Sequence, residues 1–437
     1  MAQETRRAGT PRSDAPRHPD RALTTRRTAV GVGAVAVVGL GVGLASCLGA
    51  PAEPPVAEAA DDAATLPARD FAESRLLDQG RTTATGPGRV SFSAWGDVIA
   101  TDAMLETALA WGDGGAYDFS PLFARTAPWV QNQCDVSLVN METTIGGDNG
   151  FGITGYPSFN TPEAMADAIA GAGFRVVVTD SNHTYDTWTD SIGYAQEVWS
   201  GKPGLVTVGS FASEADRETP RVVECNGLRI AFVAYCYGQN GYEQSDLPND
   251  YYAVPWDREA MAQDVERARK AADAVVVYLH MGTEYTNEPN EEQLAAAQAC
   301  ADAGATLVVG SHAHAIQPVR LLTSADGRPV WCAYGLGDYL SGYTKAMCVL
   351  SGAFCCTFEL GEGGAVSVRD ATWRPVIEHR ETAKDGAVTQ AAWFVSEYSQ
   401  ELAERNELLA NLEPGQRWEW VTSETARVME GSGVTVV

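Results

Sequence analysis

Between Arg89 and Ser311 the chain alternates short apolar runs with longer amphipathic ones, and this alternation constrains the fold more than any other feature of the sequence. Strand-type runs are RVSFSAW (89–95), CDVSLVN (134–140), FRVVVTD (174–180), LVTVG (205–209), LRIAFVAYC (228–236), AVVVYLH (274–280) and TLVVGS (306–311). Helical patterns fall between them at 100–110, 162–172, 190–199, 257–271 and 291–303. Apolar strands separated by helices at this spacing predict an α/β core with largely parallel strands, whose crossover helices cover the faces. Downstream, PVWCAYGLGDYL (329–340) reads as a strand with a glycine-rich turn, and AFCCTFEL and AVSVRDATWRPV read as an antiparallel pair. Residues 389–410 read as helical, and the remainder to Val437 as peripheral.

The ends of these runs carry the chemistry. Asp97 follows the first, Asn140 and Glu142 end the second, Asn182 and His183 follow the third, His280 ends another, and His312 and His314 follow TLVVG. Ligands of open α/β sheets gather beyond the carboxyl ends of the strands, so these residues point to one pocket. Carboxylate oxygen suits hard cations, and manganese, iron and zinc also accept imidazole nitrogen. Asp97, Glu142, Asn182, His280, His312 and His314 supply that mixture. His312 and His314, flanking Ala313, are expected to project to one side of a locally extended segment. Each residue also has a structural reading: Asp97 as a cap for the following helix, Glu142 in a buried turn, Asn182 turning the chain, His280 hydrogen-bonded in the core.

The chain does not begin as fold. Seven arginines before Ala29 face only Glu4, Asp14 and Asp20, a net of +4, and the apolar, uncharged AVGVGAVAVVGLGVGLASC follows. A basic segment feeding a short Gly/Ala/Val run is an export signal more readily than a structural helix, and LASC (44–47) resembles the bacterial lipoprotein processing box, in which Cys47 receives lipid, the alternative being an uncleaved single membrane anchor. Residues 1–46 are therefore read as export signal with lipoprotein box, and 47–87, rich in Ala, Pro, Asp and Glu, as a flexible tether. Residues 88–385 are the folded domain, and 386–437 a C-terminal helix and peripheral tail. The expected location is extracytoplasmic, on the cell membrane through lipidated Cys47. A net charge of −26 argues against nucleic-acid binding.

Eight cysteines remain beyond Cys47, and an exported setting permits disulfides among them. Cys348, Cys355 and Cys356, close in sequence, are expected to form at least one. Cys236, Cys300 and Cys332 lie in apolar runs that suit buried free thiols.

Taken in order, GD (96–97), NMET (140–143), SNHTYD (181–186), HMGTEY (280–285), GSHAHAIQP (310–318) and YGLGDY (334–339) resemble the bacterial capsule-synthesis proteins of the CapA (PGA_cap) family, poly-gamma-glutamate capsule type, a branch of the calcineurin-like metallophosphoesterase superfamily. The resemblance runs from about Val90 to Leu340. It implies a calcineurin-like metallophosphoesterase sandwich, with mixed β-sheets flanked by helices, and one or two divalent metal ions, manganese, iron or zinc. Asp97 and Glu142 would approach the metals, Glu142 in the bridging place; Asn182, His280 and His312 would serve one metal and His314 the other. His183, oriented by Asp186, would contact substrate or protonate a leaving oxygen. Asn140, Glu284 and Asp338 would stand around the metals, holding substrate or neighbouring groups.

Three positions depart from the family pattern. Ile99 stands where a standard metallophosphoesterase has a metal-binding histidine, so one cation is expected to be weakly held, coordinated largely by water, or absent. Met281 replaces a tryptophan, exchanging an aromatic wall for a flexible one. Asp338 replaces an asparagine and adds negative charge. The function implied is a CapA-like envelope lipoprotein in capsule or poly-gamma-glutamate synthesis or export, partnered by a membrane complex or an anionic polymer. The alternatives are a general exported metallophosphoesterase and a nonenzymatic polymer-binding or structural envelope protein.

Overall fold

A computed structural model describes residues 85–437, apart from 113, 148 and 149. The export segment, Cys47 and almost all of the tether lie outside the described residues. Four parallel strands, β1 (Arg89–Val98), β2 (Val136–Met141), β3 (Val176–Val178) and β4 (Val206–Val208), form a continuous run in the first sheet. A second sheet holds β5 (Arg221–Cys225), β6 (Leu228–Cys236), β7 (Ala274–His280), β8 (Leu307–Ser311), β9 (Ile316–Thr323) and β10 (Pro329–Leu336), in the order β5-β6-β7-β8-β10-β9. Here β6, β7, β8 and β10 run parallel, and β5 and β9 are antiparallel edges. The chain then returns to the first sheet with β11 (Asp338–Leu340), β12 (Leu350–Leu360), β13 (Val366–Thr382), β14 (Val388–Phe394) and β15 (Thr435–Val436). That sheet reads β14-β13-β12-β1-β2-β3-β4, with β11 on β1 and β15 on β13.

Strand alternation explains the layers. Phe92, Ala94, Leu138, Val176 and Val178 pack into one core with the second sheet, while Trp95, Val139 and Val177 face the other way. The sheets meet face to face through pairs such as Phe92 with Phe232, ring centroids 6.2 Å apart, and Trp331 with Phe354, at 6.4 Å. Helices at Asp102–Trp111, Ala127–Gln133, Ala164–Ala172 and Trp188–Ser200 cover the outer face of the first sheet. Helices Arg258–Ala271 and Glu291–Ala303 cover the second. The second of these opens on a capping box, Asn290 and Gln293 satisfying each other's backbone donors. The result is the expected mixed-sheet α/β sandwich.

Three expectations change. Residues 389–410 are not one helix: 388–394 form β14, and only Gln400–Arg405 is α-helical. Trp393, Phe394 and Tyr398 carry apolar surface at a spacing that suits helix or strand alike, and pairing with β13 settles it. Nor is the C-terminus peripheral, since β15 pairs with β13 and Val421, Val428 and Met429 are buried in the main core. No disulfide forms among the described residues either: Cys348, Cys355 and Cys356 all keep their thiols. Adjacent Cys355 and Cys356 point to opposite faces of β12, one against the outer helices and the other into the inter-sheet core.

Candidate metal centre

Both parallel runs have the same polarity, so the carboxyl ends of β1, β2, β3, β7, β8 and β10 meet along one edge. Trp95, immediately before Gly96 and Asp97 in β1, is buried against Trp129, Phe174, Tyr339 and Phe394. Such aromatic pairs contribute about 0.5–1.5 kcal/mol each beyond area burial, which fixes the end of β1. Gly96 then passes so close to the β10–β11 turn that a Cβ there would lie 1.7 Å from the Gly337 carbonyl oxygen. That contact, and the bond from Asp97 N–H to Gly337 O (3.0 Å), sets Asp97 opposite Asp338 in register.

Asp97 is fully buried. Its Oδ1 accepts from Asn140 Nδ2 (2.7 Å) and Tyr278 Oη (3.3 Å), and its Oδ2 from Ser311 Oγ (2.5 Å) and the His312 N–H (3.3 Å). It caps nothing, because the following helix begins at Asp102 on Thr101. Glu142 is buried as well, and among the described residues neither of its carboxylate oxygens has a hydrogen-bond partner. Asn182 Oδ1 and His280 Nε2 are hydrogen-bonded at 2.8 Å, which brings both side chains to one point of the pocket. His312 Nδ1 is buried and unpartnered too. His314 gives its Nδ1–H to Asp338 Oδ1 (2.9 Å), and its Nε2 lies 3.9 Å from Glu142 Oε1. His183 repeats the pattern: Nδ1–H on Asp186 Oδ2 (2.8 Å), Nε2 3.9 Å from the same Glu142 oxygen.

The segment carrying His312 and His314 is not extended. Both residues have left-handed backbone, φ 87° and 51°, a conformation that costs roughly 1–3 kcal/mol per residue outside glycine. The two rings nevertheless converge, with centroids 6.1 Å apart. Such strain persists only where the surroundings impose it, here through Asp97 on the His312 amide and Tyr285 N–H on Ala313 O (2.7 Å).

The donor set fits divalent metal. Donor atoms of Asp97, Glu142 and His280 lie within 4.8 Å of one another, and so do those of Asp97, His314 and Asp338. Buried carboxylates without donors are costly unless a cation compensates them. Burial, with Asp97 beside it, pushes the Glu142 carboxyl well above its usual range, and burial followed by Asp338 raises Asp97. Burial lowers His280 and holds His312 down to about 3, keeping both neutral as metal ligands require. Burial opposes charge on His314 as well, but Asp338, Glu142 and Asp97 outweigh it and raise that imidazole.

Asp97, Asn140, Glu142, Asn182, His183, Asp186, His280, His312, His314 and Asp338 thus come together, as their places at strand ends implied. Glu284 stays outside, exposed on the rim. Ile99 is buried and offers no donor, and Met281 lies in the main core. Aromatic lining is supplied by residues that sequence reading did not single out: Tyr237, 42% exposed, with its ring 4.5 Å from that of His312, and Tyr285, 41% exposed and 5.7 Å from His314. The positive φ of Tyr285, 61°, has no sequence signal, since tyrosine seldom adopts it.

Among the described residues no helix is long and apolar enough to cross a membrane. Residues 91–343 match the family described as bacterial capsule synthesis protein PGA_cap. The chain is 29% identical over 193 residues to the PGA biosynthesis protein CapA of Bacillus subtilis (strain 168), covering 42% of this chain and 48% of that one. It is 28% identical over 195 residues to the capsule biosynthesis protein CapA of Bacillus anthracis, covering 42% and 44%. It therefore spans about half the length of these relatives. Among solved structures it is similar to the NAD nucleotidase of Haemophilus influenzae, with TM-score 0.42 and 11% identity over 78% of this chain and 61% of that one.

Proposed function

The chain belongs to the bacterial capsule synthesis protein PGA_cap family, and from that premise we propose that it is an envelope lipoprotein acting in capsule or poly-gamma-glutamate synthesis or export through a metal-dependent, hydrolase-type site. The observation that carries this reading is the convergence of Asp97, Glu142, His280, His312 and His314 at one sheet edge, with both Glu142 oxygens and His312 Nδ1 buried and unpartnered among the described residues. Asn182, His280 and His312 would hold one cation, Asp97 and His314 the other, with Glu142 between them. When bound, manganese, iron or zinc in such a donor set supplies Lewis-acid neutralisation of an anionic ester and activates water.

The remaining work falls to the chain's own residues. Asp186 accepts from the Phe159 amide (2.8 Å) as well as from His183, so the imidazole is held in one orientation. With Nδ1–H committed, Nε2 is the position that gives or takes a proton, facing Glu142 inside the pocket. Asn140 fixes the Asp97 carboxylate, and Glu284 stands at the entrance. Anchored by lipid on Cys47 and carried on the tether, the domain would work outside the cytoplasm at the membrane, beside a synthesis complex or an anionic polymer. A chain of net charge −26 approaches a polyanion through bound cations.

Deleting the gene in a polymer-producing strain and quantifying surface polyglutamate tests the capsule role; an unchanged amount counts against it. Assaying the purified full-length chain with manganese, iron, zinc and magnesium against phosphomonoesters and diesters tests the hydrolase. Absence of turnover with metal occupancy confirmed would rule that activity out. A second reading, a general exported metallophosphoesterase, is favoured by the His183–Asp186 pair, which a polymer-binding protein has no need to orient.

A further inference from the structure

We propose that Asp338 is the positioning residue of the second cation site, holding His314 by Nδ1 so that Nε2 serves as the ligand atom, and adding a negative charge that strengthens that ligand. The inference rests on the reading of the pocket as a metal centre and goes beyond it by assigning Asp338 to one of the two cations. Asp338 is fully buried, and Asp338 Oδ1 accepts from His314 Nδ1 at 2.9 Å. A carboxylate can only accept there, so Nδ1 carries a proton toward Asp338, and Nε2, 3.9 Å from Glu142 Oε1, is the ring nitrogen left for a cation. Carboxylates that hold the far nitrogen of a ligating histidine fix its tautomer and raise its basicity.

The second oxygen shows why the charge matters. Asp338 Oδ2 is buried and has no hydrogen-bond partner among the described residues. No lysine or arginine of the described residues pairs with Asp338, whose recorded ion-pair partner is His314. Asp97 faces it directly in strand register. Two buried carboxylates side by side, served by a single imidazole, leave negative charge that a cation beyond His314 would balance. The His183–Asp186 pair is the internal contrast. There both donors, the imidazole and the Phe159 amide, converge on one carboxylate oxygen, and no second acid faces it in register. One dyad is built to hold a proton carrier, the other to feed charge to a metal site.

The test is a Mn2+ titration of the full-length chain stripped with EDTA, followed by electron paramagnetic resonance and calorimetry, with circular dichroism as the folding control. Wild type is expected to take up two Mn2+. Asp338→Ala should lose the weaker of the two, its affinity falling roughly 10- to 100-fold, while the tighter one stays unchanged. Asp338→Asn keeps an acceptor for Nδ1–H but removes the charge, so it should lie between them. Asp186→Asn, the matching change on the other dyad, should leave both metals in place. Two Mn2+ at wild-type affinity in Asp338→Ala overturns the assignment while leaving the metal centre standing. Equal loss of both metals makes Asp338 a structural residue and also overturns it. No Mn2+ uptake by wild type overturns the metal reading, and this inference with it.

Discussion

Gly96→Ala is the most direct challenge to the geometry that brings Asp97 and Asp338 together. An alanine Cβ would meet the Gly337 carbonyl oxygen at 1.7 Å and the Gly337 carbonyl carbon at 2.8 Å. Unbonded carbon and oxygen keep roughly 3.3 Å apart, so β1 and the β10–β11 turn would have to separate by about 1.6 Å. Both partners are main chain, and neither can rotate away. A forced backbone shift of this kind costs about 3 kcal/mol. That is a sizeable fraction of a stability of about 5–15 kcal/mol but not the whole of it, so the protein should still fold. The same shift carries Asp97 away from His314 and Asp338, and a misplacement of about 1 Å in a preorganised site costs on the order of 100-fold in function. Urea unfolding combined with elemental analysis measures both effects. Gly171→Ala, in the helix Ala164–Ala172 with nothing within 4 Å of the new methyl, is the control, and it should stabilise by about 0.5–1 kcal/mol. A Gly96→Ala protein that unfolds at the wild-type urea concentration and retains wild-type metal would refute the argument that this close approach builds the site.

Three further outcomes are expected. His183→Ala should keep wild-type metal content while lowering any metal-dependent phosphoester turnover by about 100-fold or more; loss of metal in that variant would place His183 among the ligands instead. Glu378 accepts from the Ser341 and Gly342 amides (2.9 and 2.8 Å) and from Gln390 (2.6 Å). Glu378→Ala should therefore cost about 2–4 kcal/mol in chemical denaturation by stranding those donors, with Glu378→Gln, which keeps an acceptor, costing under half as much; equal losses would show that packing alone is at work. In EDTA, the neutral His312 contributes stability that is fully present above its unfolded value of about 6.5 and lost as pH falls toward its folded value of about 3. Glu142 and Asp97, raised by burial, act with the opposite sign and favour the folded state at low pH. His312→Gln should lose stability less steeply than wild type between pH 6.5 and 4, by up to about 1.4 kcal/mol per pH unit; parallel acid limbs would remove His312 as the cause.

The sequence by itself determined most of the strands and helices from Arg89 to Ser311, missing β5 and the helix Ala127–Gln133, because apolar runs bounded by amphipathic stretches have one economical solution, a helix-covered parallel sheet. It also placed Asp97, Glu142, Asn182, His280, His312 and His314 at strand ends, where the polarity of such sheets gathers ligands. Residues 389–410 escaped that logic. Their apolar residues fit either period, and only the unpaired edge of β13 made part of them a strand. Pairing of the cysteines was equally out of reach, since spacing in sequence carries no information about which face of β12 each thiol takes.

What the tertiary structure alone decided was how the strand ends meet. No local pattern announces that Gly96 and Gly337 touch, that Asp338 thereby comes beside Asp97, or that His183 and His314 approach one oxygen of Glu142 from separate elements. Nor does any pattern announce left-handed backbone at His312, His314 and Tyr285, because side chains disfavour it and only surrounding contacts impose it. Periodicity is local and survives in the sequence. Convergence depends on contacts between residues more than 200 positions apart, such as Ser311 on Asp97, and exists only once the two sheets are packed.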